Sequence, residues 1–62
     1  MNYYVRQLVV DVEDVVERLV SDIEQVQEDI PESDLNFSML EEMREKLVSV
    51  LEISEKIEVS DE

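Results

Sequence analysis

The residues best suited to chemistry in this sequence are glutamates spaced four positions apart. Examples are the pairs Glu13/Glu17 and Glu24/Glu28, in a chain of 62 residues that carries 18 acidic and 5 basic side chains. If the segment is helical, each pair shares one helix face, about 6 Å apart along the axis. Paired carboxylates can bind a hard cation, or act as an acid and a base when burial separates their pKa values.

The rest of the composition argues against both kinds of chemistry. The chain has no histidine, cysteine or glycine, so it lacks an imidazole proton shuttle, a thiol nucleophile and a glycine-rich phosphate loop. An EF-hand calcium loop also needs a central glycine. The carboxylates are predicted to point outward from helices into water. We therefore predict that the protein is not an enzyme and holds no cofactor and no metal ion.

The net charge of −13 predicts the kind of partner instead. It repels nucleic acid and anionic membranes, so we expect no direct binding to either, and it attracts basic protein surfaces. The predicted partner-binding acidic face consists of Asp11, Glu13, Asp14, Glu17, Glu24, Glu28, Glu41, Glu45 and Glu52.

Rows of carboxylates on a helical rod can imitate a nucleic-acid backbone and occupy a basic site. The predicted function is therefore a small module that binds a basic protein partner and inhibits or regulates it. By analogy alone, such a module is comparable to a phage-encoded inhibitor, an antitoxin or an immunity protein. These residues establish no resemblance to a particular family, and the competing interpretation is that the acidic residues only solvate the helices.

The stretch LVVDVEDVVERLV, residues 8–20, decides which elements position the carboxylates. An alternating pattern fails there, whereas apolar residues follow 4-3 spacing, which is the seam of a helix packed on another helix. This seam consists of Val5, Val9, Val12, Val16, Leu19, Ile23, Val26 and Ile30. It predicts a first helix over about 3–29.

A second helix is predicted over about 37–58, after a connection over about 30–36 that contains Pro31. Ser38 with Glu41 fits a capping box, and Asn36 is the alternative N-cap. Residues 59–62 are expected to form a frayed acidic tail. A C-terminal strand is the competing interpretation, because apolar residues partly alternate there, at Leu51, Ile53, Ile57 and Val59.

The predicted fold class is all-α, with the two helices forming an antiparallel hairpin. The register would place Leu19 near Leu47 and Ile23 near Met43, and it would bring Asp22 beside Arg44. A second apolar stripe for an oligomer or a partner consists of Leu8, Val15, Val20, Met39, Leu51 and Ile53.

The stripe predicts assembly, because a single helical hairpin of this length buries too little surface to be stable alone. A symmetric dimer of hairpins forming a four-helix bundle satisfies this need. The stripe equally fits a groove for a helix of another protein, or a structural or adaptor subunit of a larger assembly. A regulator that holds a small ligand in its core is a weaker alternative, because Ser54 is the one polar seam position.

Charged residues interrupt the apolar stretch near the N-terminus, so it fits neither a signal peptide nor a membrane span. We expect a soluble protein of the cytoplasm, or of the host cytoplasm if the protein is viral.

Overall fold

The fold is a hairpin of two α-helices. The computed structural model describes residues 2–57, and it contains helix α1 over Asn2–Asp29 and helix α2 over Leu35–Glu55. The two helices pack against each other. The prediction of an all-α hairpin is confirmed, and the alternative of a strand is wrong for residues 51–55, which are helical. The predicted tail at 59–62, and Val59 of the alternative strand, lie outside the described residues.

Helix α2 begins two residues earlier than predicted, and neither Ser38 nor Asn36 is its N-cap. The chain turns after Pro31, whose carbonyl accepts a hydrogen bond from the Asp34 N–H at 2.9 Å. Asp34 is the N-cap, because its carboxylate accepts a hydrogen bond from the Asn36 N–H at 2.8 Å. Its negative charge also suits the positive end of the helix dipole.

Helix α2 ends at Glu55, three residues before the predicted end. The Lys56 N–H bonds to the Ile53 carbonyl at 3.0 Å, and the Ile57 N–H bonds to the Ser54 carbonyl at 3.2 Å. These i to i+3 bonds tighten the last turn and satisfy carbonyls that a helix end otherwise leaves open.

The molecule is a rod measuring 51 × 15 × 11 Å, with a radius of gyration of 14.9 Å. A compact chain of this length would have a radius of gyration of about 10.6 Å. The excess arises because two long helices in one layer contact each other along a single line. Within residues 2–57, neither helix combines the length and the apolar character needed to cross a bilayer.

The core between the helices is small. Among the described residues, the buried apolar side chains are Val16 and Ile23, which are 7% and 8% exposed, and Ser54 is buried with them at 5%. The predicted seam therefore divides into two parts: Val16 and Ile23 face α2, whereas Leu19 and Val26 remain 42% and 46% exposed. One helix can cover only part of a stripe this wide.

Candidate interaction surfaces

One side of the hairpin carries exposed apolar side chains from both helices, and we call it the open apolar face. Its centre is a groove of about 510 Å³ between the helices. Leu19, Ile23, Met43 and Leu47, the residues that the predicted register pairs, all line this groove. The exposed apolar residues of the open apolar face are Leu8, Val15, Leu19, Val26, Met39, Met43, Val50 and Ile53.

The predicted apolar stripe is divided between the two sides of the hairpin. Leu8, Val15, Met39 and Ile53 are exposed and belong to the open apolar face by helical position. Val20 and Leu51 are half-buried on the opposite side. The sequence pattern missed Leu19, Val26, Met43 and Val50 as surface residues, because their spacing is also that of a helix-pair seam.

Three charged residues, Asp22, Glu42 and Lys46, line the groove among its apolar side chains. Asp22 lies one turn from Leu19 and Val26 on α1, and Lys46 lies one turn from Met43 and Val50 on α2. Among the residues that the structure describes, none of the three forms an ion pair within 4 Å. They are the charged groups that a molecule covering this groove would meet.

The opposite side is held by a polar network, which we call the clamp: Glu24, Gln27, Glu41 and Arg44. The Gln27 Nε2 donates to Glu41 Oε1 at 3.1 Å and to the Phe37 carbonyl at 3.4 Å. The Arg44 guanidinium donates to both carboxylate oxygens of Glu41 and approaches Glu24 at 3.9 Å. The clamp therefore joins α1 to the first turns of α2.

The clamp corrects the predicted contact between Arg44 and Asp22, which is wrong. About 100° of helix rotation per residue places Arg44 on the clamp side and Asp22 on the open apolar face. Arg44 finds Glu41 one turn away on its own helix instead. Hydrogen bonds from Arg44 and then Gln27 lower the pKa of Glu41 below its usual value, and the bond to Glu41 raises the pKa of Arg44.

Most of the predicted acidic face lies on the clamp side. We call this set the acidic side, and it comprises Glu13, Glu17, Glu24 and Glu28 of α1 and Glu41, Glu45 and Glu52 of α2. Glu13 and Glu41 are half-buried, and the other five are exposed. Asp11 and Asp14 lie off these rows by helical position, and Asp11 accepts a hydrogen bond from Gln7 at 3.2 Å.

The acidic side ends at an aromatic residue beside the loop. Phe37 is half-buried, and it lines two shallow depressions together with Glu24, Glu28, Glu32, Glu41, Glu42 and Glu45. Sequence reasoning assigned no role to Phe37 or Glu32. Their proximity depends on the tight turn after Pro31, which brings α2 back onto the end of α1.

The acidic side does not concentrate its carboxylates in the manner of a metal site. Within residues 2–57, no group of three or more carboxylates is arranged to hold a metal ion. The surfaces therefore offer apolar contact on one side and negative charge on the other.

Comparison with models of protein families, with curated proteins and with solved structures gives no significant match.

Proposed function

We propose that this chain is a small acidic interaction module, which assembles as a dimer of hairpins and binds a basic protein partner through its acidic side. The observation that carries the proposal is the segregation of the two surfaces. A dimer formed through the open apolar face leaves the acidic side of each copy outward and accessible. Binding there would inhibit or regulate a partner that uses its basic surface for nucleic acid.

The charge density of such a dimer supports imitation of nucleic acid. Each chain has a net charge of −13 and a length of 51 Å. Two overlapping copies carry about one net negative charge per 2 Å, compared with about one per 1.7 Å in duplex DNA. A basic cleft shaped for a duplex would therefore meet a similar electrostatic field.

Phe37 provides a contact that the charge alone does not. An arginine or lysine from the partner can lie against the Phe37 ring while its charge meets the surrounding glutamates, since cations are attracted to aromatic faces. Partly buried aromatic residues often contribute most to binding at interfaces. The end of the acidic side near the loop is therefore the proposed anchor.

The test compares two double charge reversals of equal net charge. E17K/E28K changes exposed positions on the acidic side, whereas D11K/D14K changes positions off its rows. Each protein is immobilised and exposed to an extract of the source cells, and bound proteins are eluted in salt steps and identified by mass spectrometry.

The proposal expects a basic nucleic-acid-binding protein that elutes at moderate salt. The wild type and D11K/D14K should capture it, and capture by E17K/E28K should fall at least about tenfold, because rim charges govern steering and affinity at such surfaces. Equal capture by the two double variants would reject a binding role for the acidic side.

The exposed apolar side chains favour a second candidate function, a structural or adaptor subunit of a larger assembly. In that case the partner resists salt, remains bound to E17K/E28K, and is lost from L8E/I53E, which places charge on the open apolar face. The same extract therefore separates the two functions.

A further inference from the structure

The hairpin leaves more surface in water than a chain of its mass normally does. Its accessible surface is 5099 Å² for a mass of 7.3 kDa. A compact monomer of that mass exposes about 4,200 Å². The excess of roughly 900 Å² is close to the area of about 800 Å² that each partner buries in a standard interface.

We infer that a second copy of this chain covers the open apolar face, with the two-fold axis parallel to the long axis of the hairpin. Helix α1 of each copy then packs against α2 of the other, and both loops lie at the same end of the four-helix bundle. This inference rests on the dimer in the proposed function, and it adds the orientation of the two copies.

The charged pair in the groove carries the inference. Asp22 and Lys46 line the groove from different helices. The contacts of Gln27 with Glu41 and of Glu24 with Arg44 set the register that puts them at one level. Glu42, the third charged residue of the groove, lies one turn from Lys46 toward the loop. A two-fold axis along the hairpin brings each Asp22 opposite Lys46 of the second copy, and the dimer contains this contact twice. An axis across the hairpin at the same level would set Asp22 against Asp22 and Lys46 against Lys46. Like charges within an apolar interface oppose association.

The apolar residues agree with the same orientation. Val15 and Ile53 each lie seven residues, or two turns, from the charged level and toward the same end of the rod. With the axis along the hairpin, they meet across the interface. With the axis across it, Val15 would meet Asp29 of the second copy instead.

Charge substitutions test the contact by sedimentation equilibrium. D22K and K46D should each raise the dimer dissociation constant by about tenfold, because each places like charges together twice. D22K/K46D restores both pairs and should return within about threefold of the wild type.

Net charge cannot explain that pattern. D22K lowers the net negative charge and K46D increases it, yet both are expected to weaken the dimer. D14K has the same charge change as D22K at an exposed position away from the groove, and it should leave the dimer unchanged or tighter. A dimer that D22K does not weaken would overturn the proposed contact.

A distance measurement tests the orientation directly. The chain has no native cysteine, so S33C in the loop accepts one spin label per chain. The labels should lie within about 20 Å of each other when the loops share an end, given interaxial distances of 8–10 Å. With the axis across the hairpin the distance would be about 30 Å or more, from 1.5 Å of rise per residue.

The outcomes separate this inference from the proposed function. A dimer with a long label distance would overturn the orientation and leave the dimeric acidic module intact. A monomer at all accessible concentrations would overturn both the orientation and the dimer. Binding of the basic partner is measured independently, by the comparison of E17K/E28K with D11K/D14K.

Discussion

Gln27 on α1 donates its side-chain amide to the carboxylate of Glu41 on α2, at 3.1 Å. The contact lies where the chain has just reversed direction, and it is extended by Arg44, which bonds to the same carboxylate. These hydrogen bonds stabilise the Glu41 carboxylate within a chain whose net charge of −13 otherwise repels it. Its neighbours are a donor amide and a guanidinium rather than water alone.

The clamp predicts that Glu41 makes a pH-dependent contribution to the stability of the folded protein. Hydrogen bonds lower the pKa of folded Glu41, so its contribution is fully present above the pKa of an unfolded glutamate, about 4.3. The contribution is lost as the pH falls through the lower pKa of the folded state. The wild type should therefore exceed E41Q in its urea midpoint at pH 7, and the difference should shrink below about pH 4.

The comparison with E41Q removes the general effect of acid on this protein. Protonation of the other carboxylates relieves self-repulsion in both proteins, so it largely cancels in the difference. E45Q is the matched control, because Glu45 is exposed and carries the same charge. A difference between the wild type and E41Q that stays constant from pH 7 to pH 3 would contradict the role given to Glu41.

Removal of the Ser54 hydroxyl is expected to stabilise the folded protein. It is 5% exposed, and its Oγ has no hydrogen-bond partner in the described part of the chain. A buried hydroxyl without a partner destabilises the folded state by about 1–3 kcal/mol. S54A should raise the free energy of unfolding by about 1–2 kcal/mol in chemical denaturation.

S49A separates the effect of burial from helix propensity. Ser49 is exposed and donates to the Glu45 carbonyl at 3.1 Å, so its replacement gains at most about 0.5 kcal/mol from propensity. If S54A stabilises the protein no more than S49A, the hydroxyl of Ser54 is satisfied in solution.

The spacing of apolar residues was sufficient to predict two helices and their antiparallel pairing. It could not predict which part of the stripe is covered, because positions such as Ile23 and Val26 have the same apolar character and lie only about 60° apart around α1. In the structure Ile23 is buried and Val26 is exposed. That choice depends on tertiary contacts such as the clamp, which the period of the pattern does not contain.

The start of α2 was predicted incorrectly for a different reason. Ser33, Asp34, Asn36 and Ser38 are all suitable N-caps within six residues, so the local sequence is degenerate. The turn that bonds Asp34 to Pro31 resolves the choice. The predicted acidic face was placed from helical spacing alone, and that spacing did not anticipate that Phe37 lies among its glutamates.

The N-cap is tested by comparing the observed and the predicted capping residue. D34A removes the acceptor of the Asn36 N–H and should lower the free energy of unfolding by about 1 kcal/mol. S38A changes an exposed residue inside the helix and should be neutral or slightly stabilising, because alanine has the higher helix propensity. Chemical denaturation of the two variants checks both values. A larger loss of unfolding free energy in S38A than in D34A would show that Ser38 is the N-cap.

The excess of negative charge predicts that sodium chloride stabilises the isolated protein. Between 10 mM and 1 M salt, the Debye length falls from about 30 Å to about 3 Å, which is shorter than most distances between carboxylates on a rod 51 Å long. Screening therefore removes repulsion among 18 acidic groups, whereas it weakens few attractive pairs.

A gain of about 1 kcal/mol in the free energy of unfolding corresponds to a rise of roughly 4–8 °C in Tm for a domain of this size. Thermal melts followed by circular dichroism measure it at fixed protein concentration, since association also shifts Tm. Sodium chloride is preferred to sulfate, because sulfate strengthens apolar burial by a separate effect. E17K/E28K has less repulsion between carboxylates to relieve, so its Tm should rise less with salt. A fall in the wild-type Tm as salt increases would show that ion pairs, and not repulsion, dominate the electrostatics of this fold.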